Sequence, residues 1–258
     1  MKRTILIHHH IFKNAGTSLQ YALKKYFEEK YYECELPQSQ MVTNEDLEKF
    51  ILKNPQALAI SGHHICLPAP QGKEYQTLSI VLLRNPLARV ESIYKFEKKQ
   101  NAQTQGAIKA KELDFQGYVR WRLDKTPTML CNYQTCYCAR KKKSEGSKIP
   151  TEQDLKIAME NLKVSYVVGT VERYEETLEL ANKKLSQNYP GINLEYSYLN
   201  VTNKKAIKQE DEIRKKLEVE LGEEMLSELE EGNKLDETLW KTADRITKEE
   251  LEMVGSGK

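Results

Sequence analysis

The stretch that decides the fold is ILIHHHIFKNAGTSLQYAL, residues 5–23. It begins with a short apolar, β-branched run, which predicts a buried strand over residues 4–8. KNAGTS follows as a turn. Apolar residues then recur at helical spacing, which predicts an amphipathic helix over 17–30 with Thr17 or Ser18 as its N-cap. A strand, a tight turn and a helix together predict the opening of a βαβ unit.

Three further strands are predicted along the chain, at 57–61, 78–83 and 165–170. The run LSIVLL at 78–83 is apolar throughout, which is typical of a strand in a parallel sheet that is covered on both faces. Helical patterns separate the strands, and residues 203–254 are helical and highly charged with no strand signal. We therefore predict one α/β domain over residues 1–258, with a mainly parallel sheet flanked by helices and a helical C-terminal part.

Composition excludes several classes of protein. The chain has 258 residues, and 40 Lys and Arg balance 38 Asp and Glu, so we expect no nucleic-acid partner that depends on bulk positive charge. No apolar run approaches the roughly 20 residues that span a bilayer, and the run at 5–7 is too short for a signal peptide. Five cysteines without a secretory signal favour reduced thiols. We expect a cytoplasmic protein without a transmembrane segment.

Polar segments follow the first three predicted strands: KNAGTS at 13–18, GHH at 62–64 and RNP at 84–86. Ligands of open α/β sheets bind beyond the carboxyl ends of the strands, so we expect these segments to meet. A helix N-terminus after KNAGTS would attract phosphate through free N–H groups and the helix dipole. The segment is not a Walker A loop, because Lys13 does not directly precede the hydroxyl residue. An ordinary capped turn explains the segment equally well.

Arg84 and Ser92 form a second candidate pair. Arg84 ends a predicted strand and Ser92 lies two turns into the next helix, where both can face one phosphate. By themselves, they are better explained as a surface arginine and a small residue on a helix face.

Taken together, these segments resemble sulfotransferases that use 3′-phosphoadenosine-5′-phosphosulfate (PAPS), and in particular the carbohydrate branch with its heparan sulfate 2-O-like members. IHHHIFKNAGTSL resembles the 5′-phosphosulfate loop, with Phe12 in place of the usual proline. VLLRNPLARVESIYKF resembles the 3′-phosphate motif, in which serine follows arginine by eight positions. Three later segments also resemble family segments in the same order: NYQTCY at 132–137, VVGTVERYEETL at 167–178 and NKLDETLWKTA at 233–243.

The resemblance implies a P-loop-like three-layer fold and transfer of the sulfuryl group from PAPS, with 3′-phosphoadenosine-5′-phosphate (PAP) as product and no metal. Lys13 would neutralise the bridging oxygen as the S–O bond breaks, and Arg84 and Ser92 would hold the 3′-phosphate. Gly16, Thr17 and Ser18 would hold the 5′-phosphate by backbone and hydroxyl groups, and Asn14 and Ala15 would also belong to the cofactor-binding loop.

The acceptor implied by the resemblance is a hydroxyl on a small molecule or glycan, and its proton needs a general base. Glycan 2-O-type members place this base in a G-H segment after a strand, which makes His63 the first candidate and His64 the second. Should both histidines be structural or merely exposed, Glu172 or Glu176 is available as the base. The sequence leaves the acceptor and the oligomeric state open.

Other functions stay open at this point. All five histidines fall at residues 8–10 and 63–64, at the ends of neighbouring predicted strands, and three histidines can bind catalytic zinc. However, the chain has no H-x-x-x-H helix and its C-x-C pair lacks the usual zinc spacing, so we expect no metal. The alternatives to a sulfotransferase are a nucleotide-dependent phosphotransferase with an atypical P-loop and a non-catalytic nucleotide- or anion-binding module.

Overall fold

The structure is a computed structural model that describes residues 2–37, 40–140, 149–195 and 210–255. Within these ranges one sheet contains the strands β1 (Arg3–His9), β2 (Tyr31–Glu33), β3 (Ala59–Gly62), β4 (Tyr75–Leu83) and β5 (Val167–Thr170). Their order is β2-β3-β1-β4-β5 and every neighbouring pair is parallel. The predicted parallel α/β sheet is therefore confirmed.

The α-helices of the described ranges are α1 (Gly16–Phe27), α2 (Asn44–Lys53), α3 (Pro86–Lys99), α4 (Gln105–Glu112), α5 (Phe115–Lys125), α6 (Tyr133–Ala139), α7 (Glu152–Lys163), α8 (Tyr174–Leu185), α9 (Glu210–Leu221), α10 (Glu223–Gly232) and α11 (Lys234–Gly255). Short 3₁₀ turns occupy Glu28–Lys30 and Pro127–Met129. Residues 203–209 of the predicted helical C-terminal part lie outside the described residues, and the part from residue 210 is helical as predicted.

Helices cover both faces of the sheet, which explains the uninterrupted apolar run in β1. Ile5, Leu6 and Ile7 are each fully buried, but they alternate between the two faces. Leu6 packs with the apolar faces of α1 and α8. Ile5 and Ile7 pack on the opposite face with α2. Further along that second face, β4 and β5 contact α6, α7 and α11. The result is a three-layer arrangement of helices, sheet and helices.

Two local predictions differ from the structure. β2 is an edge strand of three residues, which is too short to show a β alternation in the sequence. The N-cap of α1 is Ala15 in the left-handed conformation, with no side-chain cap, so the prediction of Thr17 or Ser18 as the N-cap is wrong. The reason is that the turn closes two residues earlier than the hydroxyl side chains suggest. By contrast, Asn85 caps α3 with its side chain, and Pro86 follows in the first turn.

The α6 and α11 helices cap each other. The Asp236 carboxylate accepts the backbone N–H groups of Gln134 (2.9 Å) and Thr135 (2.7 Å) in the first turn of α6. In return, Asn132 Oδ1 accepts the N–H groups of Leu235 and Asp236, both at 3.1 Å, at the start of α11. Asp236 is fully buried. These contacts join NYQTCY to NKLDETLWKTA and fix α6 against the sheet.

We expect Asp236→Ala to lower the free energy of unfolding by about 2–4 kcal/mol, because two buried N–H donors lose their acceptor. Asp114→Ala is the matched control, since the exposed Asp114 accepts Gly117 N–H at the start of α5 (2.8 Å). Its loss costs about 1 kcal/mol, because water replaces the cap. Urea denaturation measures both values, and equal losses in the two variants would contradict the buried capping role.

Candidate functional site

The loop between β1 and α1 has the backbone of an anion site. Lys13 and Ala15 have positive φ angles of 67° and 57°. Among the described residues, no hydrogen bond engages the backbone N–H groups of Ala15, Gly16 or Thr17. Thr17 is exposed and Ser18 is buried. Free N–H groups at the positive end of a helix dipole are the features that attract an anion.

Register brings the other predicted segments to the same edge of the sheet. His9 of β1 lies opposite Gly62 of β3 and Val81 of β4. The segments that leave these strands therefore lie close together in space at this edge. They are the loop with Lys13, the GHH segment and Arg84. This edge lies where the chain leaves β1 for β2 on one side and later returns to β4 on the other, which is the usual ligand position in open α/β sheets.

Three cationic side chains lie in or next to this loop: Lys13, Arg84 and Arg89. Arg84 Nη1 donates to the Lys13 carbonyl at 3.1 Å. Arg89 is almost completely buried, and it donates from Nε to the Phe12 carbonyl (3.2 Å) and from Nη1 to the Met129 carbonyl (2.9 Å). None of the ion pairs in the described part of the chain includes Lys13, Arg84 or Arg89. The sequence analysis did not select Arg89, although an arginine among the apolar positions of α3 is a signal for it.

None of these cations has a salt-bridge partner among the described residues. Glu172 attracts Arg84 electrostatically, and Asp236 attracts Arg89. Arg84 Nε and Arg89 Nη2 are buried without a hydrogen-bond partner. Burial, reinforced by Arg84 and then Arg89, lowers the pKa of Lys13 to about 8, and burial lowers the pKa of Arg89 to about 10. Buried cations without a direct salt bridge are costly, so an anion that entered here would be attracted strongly.

Gln134 ties the loop to the end of β4. Its Oε1 accepts hydrogen bonds from Asn14 Nδ2 (2.7 Å) and from the Arg84 backbone N–H (2.8 Å). Its Nε2 donates to the Arg84 carbonyl (2.8 Å), and Asn14 Nδ2 also donates to the Leu82 carbonyl (2.9 Å). Asn14 is 1% exposed, so the hydrogen bonds of its side-chain amide support the loop from the protein interior. The sequence analysis gave Gln134 no role beyond its place in a resembling segment.

Ser92 shares a face of α3 with Arg89 and Phe96, because residues three and four apart are neighbours on a helix. Ser92 is half-buried. The Lys13 ammonium lies 4.3 Å from the centre of the Phe96 ring. The face that carries Ser92 is therefore the face of α3 that meets the loop.

Glu172 accepts hydrogen bonds that fix the start of α3, so its carboxylate is already engaged. It accepts the Asn85 backbone N–H (3.0 Å) on Oε1 and the Trp240 indole N–H (2.9 Å) on Oε2. Burial raises the pKa of Glu172, although nearby Arg84 opposes the shift. Glu176 pairs with Arg173 at 2.7 Å. Both carboxylates that the sequence analysis kept as alternative bases are thus engaged in other contacts.

The rings of His8 in β1, His10 after β1 and His63 after β3 form a stack. The His10 ring lies 5.2 Å from His8 and 3.9 Å from His63, between ring centres. His10 also fills the space beside Gly16, where an added Cβ would lie 1.9 Å from His10 Cδ2. Gly16 is therefore required by the imidazole that packs against it. His63 is half-buried and reaches the anion loop through His10, whereas His64 lies further along, 6.4 Å from His63.

Burial keeps most of these imidazoles neutral. It lowers the pKa of His8 well below the usual value, that of His10 to about 3 and that of His64 to about 4. His9 points to the opposite face, where its ring contacts Ile65 O (3.2 Å) and Ser79 Oγ (3.0 Å), and its pKa falls to about 4. His9 is therefore a structural residue.

The zinc hypothesis finds no geometric support among the described residues. No group of three or more His, Cys, Asp or Glu in the described ranges is arranged to hold a metal ion. His8 and His10 stack face to face, so their nitrogens do not converge on one point. His8 Nδ1 is engaged with Ser61 Oγ at 2.8 Å.

Comparison with known proteins adds a relative without an assigned activity. No protein-family model matches the chain. The chain is similar to an uncharacterized protein of Archaeoglobus fulgidus, with 27% identity over 256 residues that cover 96% of this chain and 99% of that protein. Within the described ranges, no helix combines the length and apolar character needed to cross a membrane.

We expect Gly16→Ala to lower the free energy of unfolding by about 1–3 kcal/mol, because the new methyl group overlaps the His10 ring. In a His10→Ala background the same change should cost well under half as much, since the space is open. Urea denaturation of the wild type, both single variants and the double variant measures the coupling. Additive effects would show that His10 does not confine Gly16.

Proposed function

We propose that this protein transfers the sulfuryl group of PAPS to a hydroxyl acceptor, with a carbohydrate as the acceptor class that the resemblance favours. One observation carries the proposal. Lys13, Arg84 and Arg89 lie at the uncapped N-terminus of α1 without a salt-bridge partner among the described residues, and they belong to the two segments that resemble the phosphate motifs. An ordinary capped turn with a surface arginine would have neither buried cations nor free N–H groups.

The residues present fit a co-substrate with two separate anionic ends. The free N–H groups at Gly16 and Thr17 suit a 5′-phosphate, while Arg84 and Ser92 suit a 3′-phosphate. PAPS supplies an activated sulfuryl group when it is bound. Lys13 contributes the positive charge that favours charge build-up on a leaving oxygen, and the fixed N–H dipoles add to it without reorganisation.

His63 is the general base we favour. Its ring contacts His10, and His10 contacts Gly16, so His63 lies beside the anion loop. Its backbone N–H donates to Glu35 Oε1 at 2.6 Å, which fixes the segment, while the half-buried ring stays accessible. An imidazole next to the loop can take the proton of an acceptor hydroxyl. His64 is the second candidate. Burial disfavours its protonation most, followed by the nearby charges of Arg140 and His63.

Transfer of labelled sulfate from PAPS to a panel of carbohydrate and small-molecule alcohols tests the proposal, with the sulfated position mapped on the product. We expect PAP to raise the Tm and Mg-ATP to leave it unchanged, because only PAP carries the 3′-phosphate. Stabilisation by ATP alone would instead support an atypical phosphotransferase. Binding of PAP with no transfer to any acceptor would support a non-catalytic binding module.

We expect Lys13→Ala and Arg84→Ala to separate turnover from binding. Lys13→Ala should lower kcat by about 100-fold or more with a smaller loss of PAP affinity, because its charge acts mainly in the transition state. Arg84→Ala should weaken PAP binding more than it lowers kcat. Arg120→Ala removes an exposed arginine that pairs with Glu228, and should change neither value. Calorimetry measures the Kd of PAP, and steady-state kinetics measure kcat. Equal losses of PAP binding in both variants would contradict these roles.

A further inference from the structure

Phe96 is an aromatic residue on α3 that lies directly beside Lys13. Phe96 is 39% exposed, so it is partly accessible to solvent beside Lys13. The Lys13 ammonium lies 4.3 Å from the ring centre, within the distance of a cation–π attraction. Phe12, the residue before Lys13, packs edge-on against the same ring at 5.5 Å between ring centres.

The electrostatic surroundings of Lys13 make this contact important. The charged groups near its ammonium are Arg84, Arg89 and Lys99, which all carry the same sign and disfavour its protonation. The neighbouring His10 is titratable and neutral, and in turn the Lys13 charge disfavours protonation of His10. No carboxylate in the described part of the chain pairs with Lys13. The face of Phe96 is therefore an attractive partner for the cation.

The same aromatic contact fixes the loop to α3. Arg89 of α3 donates from Nε to the Phe12 carbonyl at 3.2 Å, while Phe96, also of α3, packs on the Phe12 side chain. Phe12 is thus held through both its backbone and its ring. Since Phe96 and Ser92 are four residues apart on the helix, the ring lies next to the position assigned to the 3′-phosphate.

We propose that Phe96 is a positioning residue, which holds the Lys13 ammonium at the anion loop and, through Phe12, sets the loop against α3. The inference rests on the proposed function for the role of Lys13 in turnover, but the contact itself is testable without any substrate.

The first measurement is the pKa of Lys13 in the ligand-free protein, from NMR of ¹³C-methylated lysines with Lys13→Arg to assign the signal. In Phe96→Leu this pKa should fall from about 8 by roughly half a pH unit, because the ammonium loses its attractive partner while the like charges remain. Phe96→Tyr should retain the wild-type value. Phe50→Leu, which removes a half-buried ring on α2, is the control and should also retain it.

The second measurement is the pH profile of PAP binding and of turnover. Protonated Lys13 attracts the anion, so both fall as the pH rises through its pKa, and in Phe96→Leu this fall should move to lower pH. An unchanged Lys13 pKa and an unchanged profile in Phe96→Leu overturn the positioning role, whatever the activity is. A lowered Lys13 pKa in a protein that neither binds PAP nor transfers sulfate supports the positioning role and rejects the proposed function.

Discussion

The side-chain amide of Gln134 is the contact on which the arrangement of the site depends. Its oxygen accepts hydrogen bonds from Asn14 and from the Arg84 backbone, and its nitrogen donates to the Arg84 carbonyl. These bonds join the loop after β1 to the end of β4, although the two segments are far apart in the chain. Breaking any member would leave a desolvated polar group without a partner, so the network holds its geometry strongly. Asp236 extends it by accepting the Gln134 backbone N–H.

This frame brings positive charge together without pairing it in salt bridges. Lys13, Arg84 and Arg89 converge, yet the buried carboxylates nearby are occupied elsewhere: Asp236 caps α6, and Glu172 receives the N–H groups of Asn85 and Trp240. The carboxylates thus secure the frame by hydrogen bonds and attract the arginines without forming salt bridges with them. Burial of cations that lack a direct salt bridge carries a cost that a bound anion would relieve. The proposed anion site therefore has a simple physical basis. The carboxylates accept hydrogen bonds that support the frame, whereas the cations face the loop.

Sequence patterns predicted the fold well where the information is local. The apolar runs at 57–61 and 78–83 became β3 and β4, and the parallel arrangement followed from the alternation of strands and helices. That arrangement also placed Lys13 and Arg84 at one edge, because parallel strands end on the same side. Prediction failed where a pattern was too short or where a packing contact is not local. The three residues of β2 show no periodicity, and no local pattern indicated that the His10 ring packs against Gly16.

The sequence by itself determined the α/β class, the order of the elements and the identity of the polar segments that follow the strands, because backbone propensity and apolar periodicity act over a few neighbouring residues. Only the tertiary structure decided how those segments are used. It stacked His63 on His10, left Arg89 without a salt-bridge partner among the described residues, and placed Phe96 under Lys13. Each of these depends on contacts between segments tens of residues apart. Such contacts are set by the packing of helices on the sheet, which no local pattern encodes.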